Sequence, residues 1–234
     1  LFGFDNKTSS GENFSFTISK RAMIFRICKF FTWVAFSLFY KLKVYGVKKN
    51  FIKGPAIIAV NHNSFLDPIA LHMCVHECIY HLARASLFNI PWLWKQWGCF
   101  PVRQDEGNSA AFKIASRLFN KRKKLVIYPE GARSPDGQLQ PGKVGIGMMA
   151  AKSRVPIIPV YIRGTFEAFN RHQKIPHVWK TITCVFGTPM YFDDIIQNPE
   201  IKNKETYQII TNQTMNKIAE LKAWYESGCK GDVP

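Results

Sequence analysis

A chain of 234 residues, 47% apolar and 21% charged, is long enough to bury one substantial core and too apolar to be a disordered or low-complexity polymer. Its 32 Lys and Arg stand against 16 Asp and Glu, a formal net charge of +16, so the expected partner is anionic: nucleic acid, lipid headgroups, a phosphorylated substrate or an acidic protein. The six cysteines follow no framework spacing, which excludes a disulfide scaffold and fits reduced thiols in a cytosolic setting.

In chain order, residues 1–18 read as an N-terminal extension and 19–45 as a segment of unusual character. A bilayer-spanning helix needs about 20 mostly apolar residues, and here Arg26 and Lys29 interrupt, leaving an uncharged run only from Phe30 to Tyr40. On a helical wheel Met23, Ile24, Ile27, Phe31, Val34, Ala35 and Leu38 share a face. Arg21, Arg26, Lys29 and Ser37 fall opposite, interleaved with Trp33, Phe36 and Tyr40. The pattern predicts an amphipathic membrane-associated helix, or a helical hairpin, lying among anionic headgroups. A signal peptide is a poorer match, because Lys41 and Lys43 stand where a small-residue cleavage site is needed.

From residue 46 to 234 the chain reads as a single α/β domain. The apolar runs 55–60, 125–128, 157–162 and 181–186 predict buried strands, and 80–85 and 99–103 weaker ones. Helical patterns cover 68–78, 108–122, 143–153 and 203–226. Alternating strands and helices predict a mixed central sheet flanked by helices, with the functional site at the carboxyl ends of its strands. Asn61-His62 and Pro129-Glu130-Gly131 fall at such ends.

The stretch "VNHNSFLDP", residues 60–68, carries two readings. Asp67 followed by Pro68 is a common helix start, in which the carboxylate only caps. Alternatively a turn folds His62 back onto Asp67, which holds one imidazole nitrogen and leaves the other to take a proton. "YPEGARS", 128–134, follows a strand; Gly131 frees the backbone and Arg133 offers a planar fork for phosphate, although the same letters are ordinary turn vocabulary. Arg103 is a second candidate phosphate ligand. Three further patterns fail. "GQLQPGK", 137–143, has phosphate-loop spacing, but Val144 replaces the hydroxyl residue and no strand directly precedes it. The His and Cys of "HMCVHECIYH", 72–81, lack zinc spacing, so no metal is expected. "KRKK", 121–124, suits a helix C-terminus.

Taken in order, these pieces resemble the glycerolipid acyltransferases, in particular the 1-acylglycerol-3-phosphate (lysophosphatidic acid) acyltransferase branch. Asn61, His62 and Asp67 match the first motif. "ARASLFNIPWLWKQWGCFPVR" resembles the second, through Arg84 (usually Lys), Leu87, Pro91, Gly98 and Arg103. Tyr128 to Arg133 match the third, with Ala132 in place of the usual Thr and Tyr128 in place of Phe, and "VPIIPV" resembles the fourth. The likeness runs from about residue 54 to 192. It implies transfer of a fatty acyl group from a thioester to the free sn-2 hydroxyl of 1-acylglycerol-3-phosphate, giving phosphatidic acid in phospholipid biosynthesis. His62 would be the general base and Asp67 its orienting carboxylate. Arg84, Arg103 and Arg133 would grip the phosphate, Gly131 would open the backbone to it, and Glu130 would brace an arginine.

The resemblance implies no cofactor beyond the co-substrate, an acyl-ACP or acyl-CoA. Its implied partners are lysophosphatidic acid, an anionic membrane surface, and acyl carrier protein or a coenzyme A thioester, with no nucleic acid. The implied setting is the cytoplasmic face of the cell inner membrane. Rival readings are an acyltransferase for glycerol-3-phosphate or another lysophospholipid, and a non-catalytic peripheral-membrane lipid-binding module.

Overall fold

The computed structural model describes residues 27, 29–84, 98–102 and 107–234. The extension over 1–18, the attachment segment up to residue 26, Arg103, and the stretch 85–97 that carries Leu87 and Pro91 lie outside the described residues. The chain divides into two units after Leu38. In the first, residues 29–38 are helical, and Phe30 stacks on Trp33 with ring centroids 6.4 Å apart. Ile27, Phe31 and Leu38 of the expected apolar stripe are exposed, as are Phe30 and Trp33. No helix among the described residues is long and apolar enough to cross a membrane.

The second unit is an α/β sandwich. In chain order it contains β1 (Tyr40–Tyr45), α1 (Val47–Asn50), β2 (Ala56–Val60), α2 (Asp67–Cys74), β3 (Ile79–Arg84), β4 (Cys99–Val102) and α3 (Gly107–Asn120). There follow β5 (Lys124–Ile127), α4 (Gly145–Ser153), β6 (Ile157–Arg163), α5 (Thr165–Phe169), β7 (Lys180–Phe186), α6 (Asp193–Gln197) and α7 (Asn203–Glu226). The seven strands form one sheet in the order β1-β7-β6-β2-β5-β3-β4. Every neighbouring pair is parallel except β6 and β7, so the sheet is mixed, as expected.

Residues 40–45, read from sequence as the end of the attachment segment, are instead the first strand of the sheet. Lys41 and Lys43 point to solvent while Tyr40, Leu42 and Val44 are covered, a period-two pattern that a helical wheel hides. The strand pairs with β7 from Tyr40↔Lys180 to Tyr45↔Val185, so the sheet begins six residues before the expected boundary.

The central strands are apolar without alternation because both faces are covered. All five residues of β2 and six of the seven in β6 are buried. On one face Ile57, Leu125, Ile157 and Tyr161 pack on Leu118 and Phe119 of α3, Ile146 and Met149 of α4, and Ile210 and Leu221 of α7. Gly147 sets how closely α4 and α7 approach: a Cβ there would stand 1.9 Å from the Tyr207 carbonyl oxygen. On the other face α2 packs beside β7. It ends at Cys74 rather than extending to 78, because Val75 turns extended to lead into β3. Cys74 and Cys78 therefore do not share a helix.

Candidate active site

Three parallel strands, β2, β5 and β3, end side by side, and β6 ends beside β2. The chain leaving β2 is held at once. Asn61 Nδ2 donates to Ile162 O at 3.0 Å, and the Ile162 amide donates to Asn61 Oδ1 at 2.7 Å. Five residues of loop, 62–66, follow before α2 begins. Asp67 is fully buried at the start of that helix, yet it does not cap it: no side-chain cap bond is made, and Pro68 supplies the N-terminal proline. Its Oδ2 turns back into the loop. There it accepts the amides of Asn63 at 2.7 Å and Ser64 at 2.8 Å, and lies 2.8 Å from His62 Nδ1. Of the two readings open in the sequence, the fold-back geometry is the one observed.

An oxygen that already accepts two amide N–H groups takes a third N–H as its partner, so Nδ1–H faces Asp67 and Nε2 is the ring nitrogen turned away from it. The imidazole also lies on Tyr128, with centroids 3.9 Å apart and planes at 22°. Its backbone is fixed too, since the Ser134 amide donates to His62 O at 2.7 Å. His62 is thus held by a carboxylate, a ring and its own carbonyl, with its side chain one-fifth exposed.

The loop after β5 supplies the neighbours. Gly131 takes φ +72°, and its amide closes a turn onto Tyr128 O at 3.0 Å. A Cβ there would meet Lys143 Nζ at 2.9 Å, so Lys143 lies across the space the glycine leaves open. The Lys143 amide ties the far end of the loop to Pro129 O at 2.8 Å. Arg133 lays its guanidinium on the ring of Phe65, 3.6 Å from the centroid, which orients its fork.

Glu130 is 4% exposed, and among the described residues neither carboxylate oxygen has a hydrogen-bond partner. Burial pushes its carboxyl up to about 8. The amides of His62 and Gln140 pull it back only partly, being aimed at the group without reaching hydrogen-bond geometry, and Asp67 adds to the rise. At neutral pH Glu130 is therefore mainly protonated. Burial raises the Tyr128 phenol well above its ordinary range, with the Asp67 charge adding to it. Behind Tyr128, His81 is buried beside His72, with rings 5.1 Å apart, and burial pushes His81 well below the usual imidazole range. Among the described residues no three His, Cys, Asp or Glu side chains converge as a metal site.

The structure thus brings together His62, Asp67, Glu130, Gly131 and Arg133. Arg84 closes β3 at the same edge, with its backbone in register with Val102. Lys143 was missed by sequence reasoning. The phosphate-loop pattern that ends on it is accidental, and only the closure of the 129–143 loop carries it to Gly131.

Residues 41–163 match the family model described as Acyltransferase. The chain is 30% identical over 141 residues to a chloroplastic 1-acyl-sn-glycerol-3-phosphate acyltransferase of Brassica napus, covering 57% of this chain and 41% of that one. It is 37% identical over 152 residues to one from Limnanthes alba, covering 61% and 52%, and 32% identical over 126 residues to the human beta form, covering 51% and 45%. The chain thus spans about half the length of the curated relatives it matches. Its fold is similar to the crystal structure of the 1-acyl-sn-glycerophosphate (LPA) acyltransferase PlsC from Thermotoga maritima. That match has a TM-score of 0.67 and 20% identity, and it covers 88% of this chain and 83% of the other. With more than half of its residues inside the family model, this chain belongs to the acyltransferase family.

Proposed function

We propose that the chain transfers a fatty acyl group from an acyl thioester to the sn-2 hydroxyl of 1-acylglycerol-3-phosphate, forming phosphatidic acid. The observation that carries this reading is the 2.8 Å contact between His62 Nδ1 and a buried Asp67, which leaves Nε2 to accept a proton. The relatives' names supply the substrate class, and the net charge of +16 agrees with a phosphorylated acceptor.

Nε2 removes the hydroxyl proton as the oxygen attacks the thioester carbonyl carbon. The tetrahedral intermediate collapses, the C–S bond breaks, and the leaving thiolate takes the proton back from the imidazolium. Asp67 keeps the ring in the correct tautomer and stabilises its transient charge. No protein nucleophile is consumed. Arg133, its fork oriented by Phe65, and Lys143 beside Gly131 grip the phosphate, and the motif resemblance adds Arg84 and Arg103. Coenzyme A or acyl carrier protein delivers the acyl group. The amphipathic N-terminal segment lies on the anionic cytoplasmic face of the cell inner membrane and holds the enzyme at its lipid substrate.

The test is phosphatidic acid formation from lysophosphatidic acid and labelled acyl-CoA or acyl-ACP, for wild type and His62→Ala. Loss of about 10²- to 10⁴-fold in turnover with vesicle binding intact is expected. Equal turnover in the two proteins overturns the mechanism, and no turnover in wild type with either donor overturns the activity.

A further inference from the structure

The antiparallel β6–β7 pair has a topological effect. Because β7 runs against β6, it starts at the carboxyl edge, and β1, parallel to β7, starts there too. The beginnings of both strands therefore lie at the same end of the sheet as His62. Between α5 and β7, residues 170–179, "NRHQKIPHVW", form a loop at that end. It is fastened to the candidate active site: Ser64 Oγ donates to Phe169 O, and His172 Nε2 lies 3.3 Å from Pro135 O.

The loop exposes side chains that water does not favour. Ile175 and Trp179 are each 76% exposed, and Val178 and Phe39 stand open beside them. Its backbone is nonetheless held in place. The His177 amide donates to Ala168 O at 2.7 Å, the Asn170 amide to Gln173 Oε1 at 2.7 Å, and the Trp179 amide to Phe39 O at 2.7 Å. Trp179 also takes φ +64°, a left-handed conformation costly for a bulky residue, and its ring makes an edge contact with Phe39 at 6.2 Å. Backbone strain held in a hydrogen-bonded loop, with its two largest apolar side chains in solvent, is the signature of a surface kept for something else. Within the loop the charge is of one sign, although Glu167 precedes it and Asp136 follows Pro135, to which it is fastened. Arg171, Lys174 and Lys180 are exposed, and no Asp or Glu occurs between residues 168 and 192. Lys41 and Lys43 extend the basic field along β1, in a stretch free of acidic residues from 13 to 66.

We propose that this loop is a membrane-contact element of the catalytic domain itself, separate from the N-terminal segment. Ile175 and Trp179 enter the interface of an anionic bilayer, the surrounding cations meet its phosphates, and the edge carrying His62 is docked on the lipid surface. Aromatic and aliphatic tips ringed by Lys and Arg suit headgroups above acyl chains. A folded acidic partner would supply the charge complement without a reason for bare Ile and Trp at the crest.

The experiment compares the wild-type chain, Ile175→Ser/Trp179→Ser and Tyr191→Ser by co-sedimentation with phosphatidylglycerol–phosphatidylcholine vesicles. Tyr191 is also exposed (66%), but it follows Met190, which bridges to Ile157 at the opposite end of the sheet. The double variant is expected to partition about tenfold or more weakly, with unchanged melting temperature, while Tyr191→Ser binds as wild type. Reversing charge with Arg171→Glu/Lys174→Glu is expected to weaken binding and flatten its salt dependence. Equal binding by the double variant and wild type overturns the proposal, as does an equal loss in Tyr191→Ser. Intact vesicle binding with turnover lost only for protein-borne acyl donors also overturns it, and reassigns the loop to an acidic carrier. Because vesicle binding is read without turnover, the proposal can fail while the acyltransferase reading stands, and the reverse.

Discussion

Two contacts of equal length, each made by a buried charged side chain, sit at opposite ends of the central strands, and they are built for different ends. At the amino end of β5, Lys124 is fully buried and meets Glu77 at 2.8 Å, with its ammonium 4.6 Å from the centre of the Phe51 ring. At the carboxyl end of β2, Asp67 is fully buried and meets His62 at 2.8 Å. Lys124 leans on a half-exposed partner and an aromatic face, and nothing around it depends on its direction. Asp67 gathers two loop amides and an imidazole on a single oxygen, so its orientation sets the geometry of everything that follows. One end of the sheet stabilises a strand. The other aims a nitrogen.

The comparison is broken most sharply at Asp67. Asp67→Asn is expected to lose about 10²- to 10⁴-fold in turnover, because an amide cannot accept from two N–H groups and also hold Nδ1–H as a carboxylate does. Measuring kcat beside the melting temperature separates aim from stability, and an Asn variant with near-wild-type kcat would sink the dyad. At the other end the effect should appear in stability alone. Glu77→Ala leaves the Lys124 charge buried beside only a ring and is expected to cost about 3 kcal/mol or more in urea unfolding. Lys124→Met, which removes the charge and keeps the volume, should cost under about 1.5 kcal/mol. Should the order be reversed, the Lys124–Glu77 contact is not what holds that end.

The last test concerns pH. Glu130 has a folded value of about 8 against about 4.5 when unfolded, so between those limits the folded protein binds more protons. Stability from this group is full below about 4.5 and is lost as pH rises through 8, at up to ~1.4 kcal/mol per pH unit. Glu130→Gln is expected to flatten the fall of melting temperature between pH 5 and 8. An unchanged slope would mean that the carboxyl is not carried into the fold uncharged.

What could be read from the letters and what could not follows from where each signal resides. The buried strands were legible because runs such as "IIPVYI" bury both faces, and α7 was predicted over 203–226, the span that forms. Strand β1 was not, since its two lysines alternate with apolar residues directly after a long helical pattern, and short apolar runs do not announce which period they belong to. The spacing of His62 and Asp67 allowed either capping or contact; the choice rests on which way one carboxylate turns. The burial of Glu130 is a related case: a charged letter between Pro129 and Gly131 does not announce that the fold will enclose it with no hydrogen-bond partner among the described residues. Lys143 depends on loop closure alone.

Asn61 has a consequence of its own. The backbone ladder between β2 and β6 runs as far as Val60↔Val160, and beyond it the carboxamide of Asn61 offers Ile162 one donor and one acceptor, as a peptide group would. A side chain thereby counterfeits the next rung, and the main chain is released to turn toward His62 one residue earlier than the sheet would otherwise allow. Aspartate lacks the donor and leucine lacks both groups, so only an amide of this length can end a strand while the hydrogen bonding goes on.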